Sequence, residues 1–278
     1  MEEGNFLNIE NLDFKNADEV IEFLTREYYK YNPNMERITV IILITKNLRE
    51  SYEKISPDIK DLASKESLDS LDSYNGLMVL PMKLDESIHI LLNANKIMEY
   101  SKDKTMTWLG TFAHELTHAI DFYQIARKDS LESYMPLRGG NQYYLFTLWS
   151  EYHARKIGYS FLRKLLVDDE DNNTRNERLS NILNKELPFH LKMFHKQYNE
   201  TSDGRKQIYI TMQFIGRYSV WENLFPETFN SETFSLIFKD ETWMYHIYSF
   251  MKEHETLDLI SNSFENMRAI LRENWKTI

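Results

Sequence analysis

Two histidines and a glutamate between positions 114 and 118 have the residue types and the spacing of a catalytic metal site. The segment is His114-Glu115-Leu116-Thr117-His118. On a helix, two histidines at positions i and i+4 share one face, about one turn apart, and can bind a single tetrahedral ion. Neutral imidazole nitrogens suit Zn²⁺, at roughly 2.0–2.1 Å. The spacing therefore predicts a helical zinc site that includes His114 and His118.

Glu115 follows the first histidine and supplies the group that metal-assisted hydrolysis needs. Its carboxylate can reach a metal-bound water without binding the metal itself. Zinc makes such a water more acidic, and a neighbouring carboxylate accepts its proton. The alternative is a solvated helix face with two unconnected histidines. The uncharged neighbours of the motif favour a buried segment, in which a histidine pair requires partners.

Catalytic zinc usually takes three protein ligands and leaves a fourth position for water. We expect Glu151 to be the third ligand, because it follows Trp149 in the next strongly apolar helical segment. A metal removes the cost of a buried, unpaired carboxylate. Alternatively, Glu151 pairs with Arg155 one turn later. Both roles hold if Arg155 contacts the carboxylate of Glu151 while that carboxylate binds the metal. His153 is the rival ligand, although it points to roughly the opposite side of its helix.

The composition limits the other chemistry that the chain can perform. The 278 residues include no Cys and 8 His, and the formal net charge is −10. Without Cys, there is no disulfide, no iron–sulfur cluster and no thiol nucleophile, so a transition metal must be held by His and carboxylates. The acidic balance argues against a nucleic-acid partner, because nucleic-acid-binding proteins usually carry a basic excess.

Neither a membrane span nor a targeting segment is predicted. The most apolar run, residues 38–44, has the length of a strand, whereas a membrane helix needs ~20 apolar residues. The first five residues are acidic and no apolar region follows them. We therefore expect a cytoplasmic protein without a membrane partner.

The elements that must position these residues form a helix-rich α+β chain. A helix over 17–31, capped by Asn16, precedes a buried strand over 38–45 and a hairpin of strands 76–82 and 87–93. Two long helices follow, over 105–126 with the histidines and over 141–166 with Glu151. Later helical patterns fill 174–200, 205–224, 232–252 and 256–275.

An acidic run at 168–173 is the best candidate for a domain boundary. We expect a catalytic domain over 1–167 and an all-helical domain over 174–278 that packs on or flanks the substrate cleft. The loop over 128–140 is long enough to be functional.

The motif and the later glutamate together resemble the glutamate zincins, or gluzincins, which are HExxH zinc metallopeptidases. The segment from Glu151 to Ala154, with Phe161 further on, looks more like the short cytoplasmic ImmA/IrrE-type zincins. The resemblance covers about residues 85–165. It implies a zincin-like N-terminal half, with a small sheet and an active-site helix. It also implies zinc-dependent hydrolysis of a peptide bond in an intracellular protein or peptide, such as a DNA-binding repressor.

The resemblance also suggests roles for the neighbouring residues. Thermolysin-like chains carry an Asp four residues after the ligand Glu, where this chain has Arg155, so that support does not carry over. Asp121 either orients a ligand instead or is an ordinary solvated aspartate. In zincins an edge strand before the active-site helix pairs with the substrate, which would be residues 87–93 here. Asn93 and Ala94 resemble a clamp for the substrate backbone, and the alternative is that they belong to an ordinary sheet strand without a role in binding.

Hydrolysis also needs a hydrogen-bond donor for the oxyanion. The sequence offers several donors without a spacing that selects one: Tyr143, Tyr144, His190, His195 and the Arg217-Tyr218 pair. Our choice is Tyr218 with Arg217, as a catalytic group from the C-terminal half. The aromatic stripe from Tyr209 to Phe225 is expected to form the core of a helical bundle.

Two other functions compete with peptide hydrolysis. The chain could be a regulatory protein of zincin fold that binds a partner with little or no proteolysis, and Glu115 argues against this because mere binding does not need that carboxylate. A purely structural helical protein fits the paired histidines least.

Overall fold

The computed structural model describes residues 6–8, 17–57, 68–81, 86–103, 106–128, 142–166, 172–239 and 241–272. The chain packs into two compact units. The first unit contains Met1–Gly140 and Ser160–Leu165, and the second contains Asn141–Tyr159 and Leu166–Ile278. Many helices and one small sheet make up the described residues, which confirms the predicted helix-rich α+β class. The domains over 1–167 and 174–278 stay a prediction, and residues 168–171 lie outside the described residues.

The first unit contains a four-stranded mixed sheet. Its strands are β1 Phe6–Asn8, β2 Val40–Thr45, β3 Gly76–Val79 and β4 Ile88–Asn93, in the order β1-β2-β4-β3. β1, β2 and β4 are parallel, and β3 is antiparallel to β4, as the predicted hairpin requires. The continuous apolar sequence of β2 suits a strand that is buried on both faces.

The position of β4 corrects one expectation. Residues 87–93 were expected to form an edge strand that pairs with the substrate, but β4 lies between β2 and β3 and forms hydrogen-bonded ladders with both. Its backbone groups are therefore occupied on both sides. Among the described strands, β3 is the outer strand next to β4. The hydrophobic pattern of a strand shows that it is buried but not which neighbours it pairs with.

Four helices of the first unit have described bounds: α1 Ala17–Tyr31, α2 Leu48–Ile55, α3 Ala94–Lys102 and α4 Thr107–Lys128. α1 has the predicted bounds and ends where Asn32-Pro33 begins, while its predicted cap, Asn16, lies outside the described residues. α4 is the predicted motif helix, longer by two residues at its C-terminal end and shorter by two at its start.

Helices cover both faces of the sheet, which fixes α4 against it. On one face, Leu43 and Leu91 pack with Leu48 of α2. Successive strand residues point to opposite faces, so Leu92 and its partner Gly76 face the other way. On that face, a Cβ at Gly76 would lie 3.2 Å from Cγ2 of Thr111 in α4. The motif helix therefore packs closely on β3 and β4.

All the regular secondary structure in the described part of the second unit is helical. α5 spans Tyr143–Leu166, of which Tyr143–Tyr159 and Leu166 belong to this unit. The later helices are α6 Asn172–Asn181, α7 Leu187–Asn199, α8 Gly204–Leu224, α9 Ser231–Ile237, α10 Thr242–Glu253, α11 Leu257–Ser261 and α12 Phe264–Arg272. The predicted helix over 205–224 is confirmed as α8.

Three predicted helices of this unit are each divided in two. A π-helical turn, Ile182–Glu186, separates α6 from α7. Pro188 lies in the first turn of α7 and has no amide hydrogen for the regular helical ladder, which favours the wider turn before it. The predicted helix over 232–252 is interrupted after Ile237, and the one over 256–275 after Ser261.

The aromatic stripe of α8 forms the core of the second unit, as predicted. Phe214, Tyr218 and Trp221 are almost completely buried, and their rings pack on those of neighbouring helices. Tyr218, for example, meets Phe234 edge-to-face at 5.0 Å between ring centroids. The stripe therefore stabilises the bundle. Tyr209, at its beginning, has a different contact that concerns the site.

Candidate metal centre

The two motif histidines point at a common position beside α4. Their Nε2 atoms are 3.1 Å apart, and the ring planes are nearly perpendicular, at 84°. Two nitrogens that bind one tetrahedral zinc ion at 2.0–2.1 Å are about 3.3 Å apart. The histidine pair therefore has nearly the separation that a shared metal ion requires.

Glu151 completes a group of three potential ligands. One ligand atom from each of His114, His118 and Glu151 lies within 4.8 Å of the other two. His114 and Glu151 are buried, with 7% and 2% of their surface exposed, and His118 is partly exposed. Two imidazoles and one carboxylate are a donor set typical of catalytic zinc. The residues present thus fit a metal ion, and its binding and identity stay predictions.

The rival ligand, His153, is not part of this group. Its ring stacks on Trp149, with 5.0 Å between the ring centroids and 23° between the planes. Trp149 itself is fully buried and donates through Nε1 to the carbonyl of His254. The stack gives the His153 ring a packing role on α5.

Both oxygens of Glu151 accept hydrogen bonds within the second unit. Arg155 donates from Nη2 to Oε1 at 3.0 Å, and the Tyr209 hydroxyl donates to Oε2 at 2.7 Å. The predicted ion pair with Arg155 is therefore present. Each carboxylate oxygen has two lone-pair sites, so neither of these two bonds by itself excludes a metal ion. Arg155 and Tyr209 fix the orientation of the carboxylate.

Tyr209 is the residue that the sequence interpretation missed. It was assigned to the apolar stripe of α8, because aromatic residues at helical spacing usually belong to a core. A signal existed at Gly216, which lies two turns later on the same face of α8. A Cβ at Gly216 would lie 2.5 Å from the carbonyl oxygen of Tyr152 and 2.9 Å from Cβ of Arg155. Only glycine permits this approach of α8 to α5.

α8 lies along α5 in the same chain direction. Near the start of both helices, the Tyr144 hydroxyl of α5 donates to the carbonyl of Arg205 in α8 at 3.3 Å. Tyr209 then meets Glu151, and Trp221 donates from Nε1 to the Tyr159 hydroxyl at 3.2 Å. Together with the close contact at Gly216, these bonds set the register that brings the Tyr209 hydroxyl to Glu151.

Glu115 and Thr117 are buried on the motif helix, with 7% and 0% of their surface exposed. The Thr117 hydroxyl donates to the carbonyl of Ala113 at 2.7 Å, so it accepts in its 2.8 Å contact with the Tyr28 hydroxyl. Burial raises the pKa of Tyr28 well above its usual value, which keeps the phenol protonated as the donor. Tyr28 therefore anchors α1 to the middle of the motif.

Asp121 is not the ordinary solvated aspartate that the sequence left open. It lies one turn beyond the motif with 1% of its surface exposed. Burial is the largest cause that raises the pKa of Tyr28, and the negative charge of Asp121 also raises it. An interior position suits a carboxylate that orients a neighbouring group, and its action on a metal ligand stays a prediction.

Asn93 and Ala94, the expected substrate clamp, lie where β4 ends and α3 begins. The Asn93 side chain accepts from the amides of Asn95 and Lys96 as the N-cap of α3. Its amide nitrogen donates to the carbonyls of Asp72 and Tyr74. These bonds use both amide hydrogens of Asn93, and its burial at 2% exposure reflects a structural role.

Tyr218, the expected oxyanion donor, lies in the aromatic core of the second unit. Its hydroxyl donates to the carbonyl of Asn230 at 3.0 Å, and 0% of its surface is exposed. Burial is the largest cause that raises the pKa of the Tyr218 hydroxyl, and the negative charge of Glu222 raises it further. In this position the phenol stabilises the bundle, while Tyr209 lies directly beside Glu151. The other donors include Tyr144, which contacts Arg205, and His190, whose ring packs on Trp221.

Part of the predicted surroundings lies outside the described residues. This applies to the loop at 129–140, where a functional segment was expected. No helix in the described ranges has the combination of length and apolar character that crossing a membrane requires.

The chain matches no protein-family model, no curated protein and no solved structure.

Proposed function

We propose that this chain is a zinc-dependent peptidase that hydrolyses a peptide bond in a protein or peptide. The grouping of His114, His118 and Glu151 within 4.8 Å carries the proposal. Glu115, next to the first histidine, adds the general base that a purely structural zinc site does not need. A cytoplasmic setting, which the resemblance to ImmA/IrrE-type zincins implies, belongs to the same proposal.

His114, His118 and Glu151 would hold the metal ion. When bound, zinc would supply Lewis-acid activation of water and of the substrate carbonyl. Glu115 takes the proton from the attacking water and delivers it to the amine that leaves. Tyr209 and Arg155 hold the Glu151 carboxylate, and Tyr28 holds the motif helix through Thr117.

The sheet supports a zincin-like arrangement with the outer strand in the substrate-pairing role. Among the described strands, β3 is the outer neighbour of β4, and α4 packs against both of them. An extended peptide could add to β3 through backbone hydrogen bonds. This role replaces the one expected for residues 87–93, whose ladders are occupied on both sides.

The test combines metal analysis with a peptidase assay. Purified protein should contain about one zinc ion per chain, measured by elemental mass spectrometry. Incubation with a proteome-derived peptide library should create new termini, detected by mass spectrometry. Glu115→Gln should keep the metal and lose the cleavage, because the amide cannot accept the proton. Glu99→Gln, at an exposed position on α3, is the control.

The outcomes separate the competing functions. Protein without a bound metal would refute the proposal. Metal-loaded protein that creates no new termini, and whose co-purified partner stays intact, would favour the regulatory protein of zincin fold. Cleavage that persists in Glu115→Gln would remove this residue from the mechanism.

A further inference from the structure

Arg217 on α8 makes no direct ion pair with a carboxylate of the described residues. Its Nε is buried and has no hydrogen-bond acceptor among the described residues. Within the same part of the chain, no carboxylate oxygen lies within 4.0 Å of its guanidinium. Arg217 is only partly exposed as a whole. Arginine is rarely buried unless it is paired, because an unpaired charge loses its hydration without compensation.

A second guanidinium lies close to the first. Burial is the largest cause that lowers the pKa of Arg217, and the positive charge of nearby Arg155 is the second. Together they lower this pKa to about 10. Arg217 therefore remains protonated at neutral pH. Its guanidinium also lies over the ring of Tyr159, at 5.6 Å from the centroid. This ring orients the guanidinium plane but offers no negative charge.

The carboxylates in the surroundings are engaged elsewhere. Glu151 and Glu186 are within electrostatic range of Arg217 and partly compensate its charge. Glu151, however, accepts from Arg155 and Tyr209. Glu186 accepts from the Tyr159 hydroxyl and, at 2.9 Å, from Nδ2 of Asn181.

The chemistry of Arg217 favours an anionic ligand. Its guanidinium makes no direct ion pair with a carboxylate of the described residues. A carboxylate that reaches Arg217 would pair this charge, and it matches the planar fork of N–H donors on a guanidinium.

We propose that Arg217, with Arg155 beside it, binds a carboxylate of the substrate next to the metal ligand Glu151. The carboxylate is either the C-terminal group of a peptide or an acidic side chain. The inference deepens the proposed function and rests on it, because the bound carboxylate belongs to a substrate only if the chain is a peptidase. It makes Arg217 a specificity-determining residue, in contrast to its expected role beside Tyr218.

Three small probes test this site directly. N-acetylalanine carries only a terminal carboxylate, the α-amide of N-acetylaspartate carries only a side-chain carboxylate, and N-acetylalanine amide carries neither. Their binding to the purified full chain is measured by calorimetric titration at constant ionic strength, with and without zinc. We expect at least one carboxylate probe to bind 10-fold or more tighter than the neutral amide. The tighter of the two carboxylate probes identifies the source.

Variants on the same helix assign the effect to Arg217. Arg217→Gln should abolish the preference for the carboxylate. Arg217→Lys should retain part of it, since the charge persists without the fork. Arg205→Gln removes an exposed arginine from α8 and should leave the preference unchanged. Circular dichroism of each variant verifies that the helical content is retained.

The result can overturn the inference without touching the proposed function. Equal binding of all three probes, or no binding of any, refutes it, and so does a preference that survives Arg217→Gln. Metal content and cleavage are measured independently, so a chain that binds zinc but shows no carboxylate preference keeps its function and loses this site. A carboxylate preference in a chain that binds no metal keeps the site and refutes the peptidase.

Discussion

The Tyr209 hydroxyl donates a 2.7 Å hydrogen bond to Oε2 of Glu151. The two residues are separated by 57 intervening positions in the chain and lie on different helices, α8 and α5. A phenol in this position orients one oxygen of the carboxylate, while Arg155 orients the other. The proposed metal ligand is therefore held by two donors before any metal binds.

Replacing Tyr209 by Phe should weaken metal binding while leaving the fold intact. Groups that support a metal ligand typically contribute 10–100-fold to affinity, and we expect a loss in that range. The zinc dissociation constant, measured by competition with a chelator, is the readout. Tyr245→Phe removes a phenol from an exposed position on α10 and serves as the control. An unchanged dissociation constant in Tyr209→Phe would contradict the positioning role.

Removal of either motif histidine should abolish stoichiometric metal binding. In His114→Ala and His118→Ala, two of the three proposed ligands remain, which is insufficient for a tight site. His195→Ala removes an exposed histidine from α7 and should keep about one zinc per chain. Elemental analysis after dialysis gives the answer, and full metal content in His114→Ala would show that the ligands lie elsewhere.

Glu151→Gln should retain the shape of the side chain but lose much of the metal affinity. The amide has one oxygen and no charge, and its nitrogen is a poor partner for the donors Arg155 and Tyr209. We expect weaker zinc binding together with lower thermal stability, because Arg155 also loses its ion pair. Chelator competition and thermal unfolding measure the two effects. Glu265→Gln, which alters an exposed i,i+3 pair, should change neither.

Gly216→Ala should destabilise the second unit. The new Cβ would lie 2.5 Å from the backbone oxygen of Tyr152, which cannot move aside as a flexible side chain would. Overpacking of this kind costs about 1–3 kcal/mol, more than the gain of about 1 kcal/mol from alanine in a helix. Lys206→Ala, exposed on the same helix, lacks the clash and should not destabilise. Denaturant unfolding compares them.

Tyr28→Phe should lower the stability of the first unit by about 1 kcal/mol, the net value of one buried hydrogen bond. The lost bond joins α1 to Thr117 between the two motif histidines. Thr117→Val should remove the same interaction, so the double variant should lose less than the sum of the single ones. Strictly additive losses in denaturant unfolding would show that the contact contributes nothing.

The sequence alone determined what depends on local spacing. The i, i+4 histidines share a face on any helix, so the motif and the bounds of α4 follow from residues near one another. The strands β2, β3 and β4 and the aromatic core of the second unit were likewise readable from short-range patterns. Glu151 was chosen as the candidate third ligand because it is a carboxylate in an otherwise apolar helical segment, and its role as a ligand stays a prediction.

The tertiary structure decided everything that depends on which elements meet. The interior position of β4 comes from its ladders with β2 and β3, and a strand sequence does not specify its neighbours. The bond from Tyr209 to Glu151 depends on the close approach at Gly216. The lack of a direct ion pair for Arg217 among the described residues is visible only in the tertiary structure, because a partly buried arginine is usually paired. The hydrophobic periodicity of a sequence indicates which residues are buried, whereas their contact partners are known only from the tertiary structure.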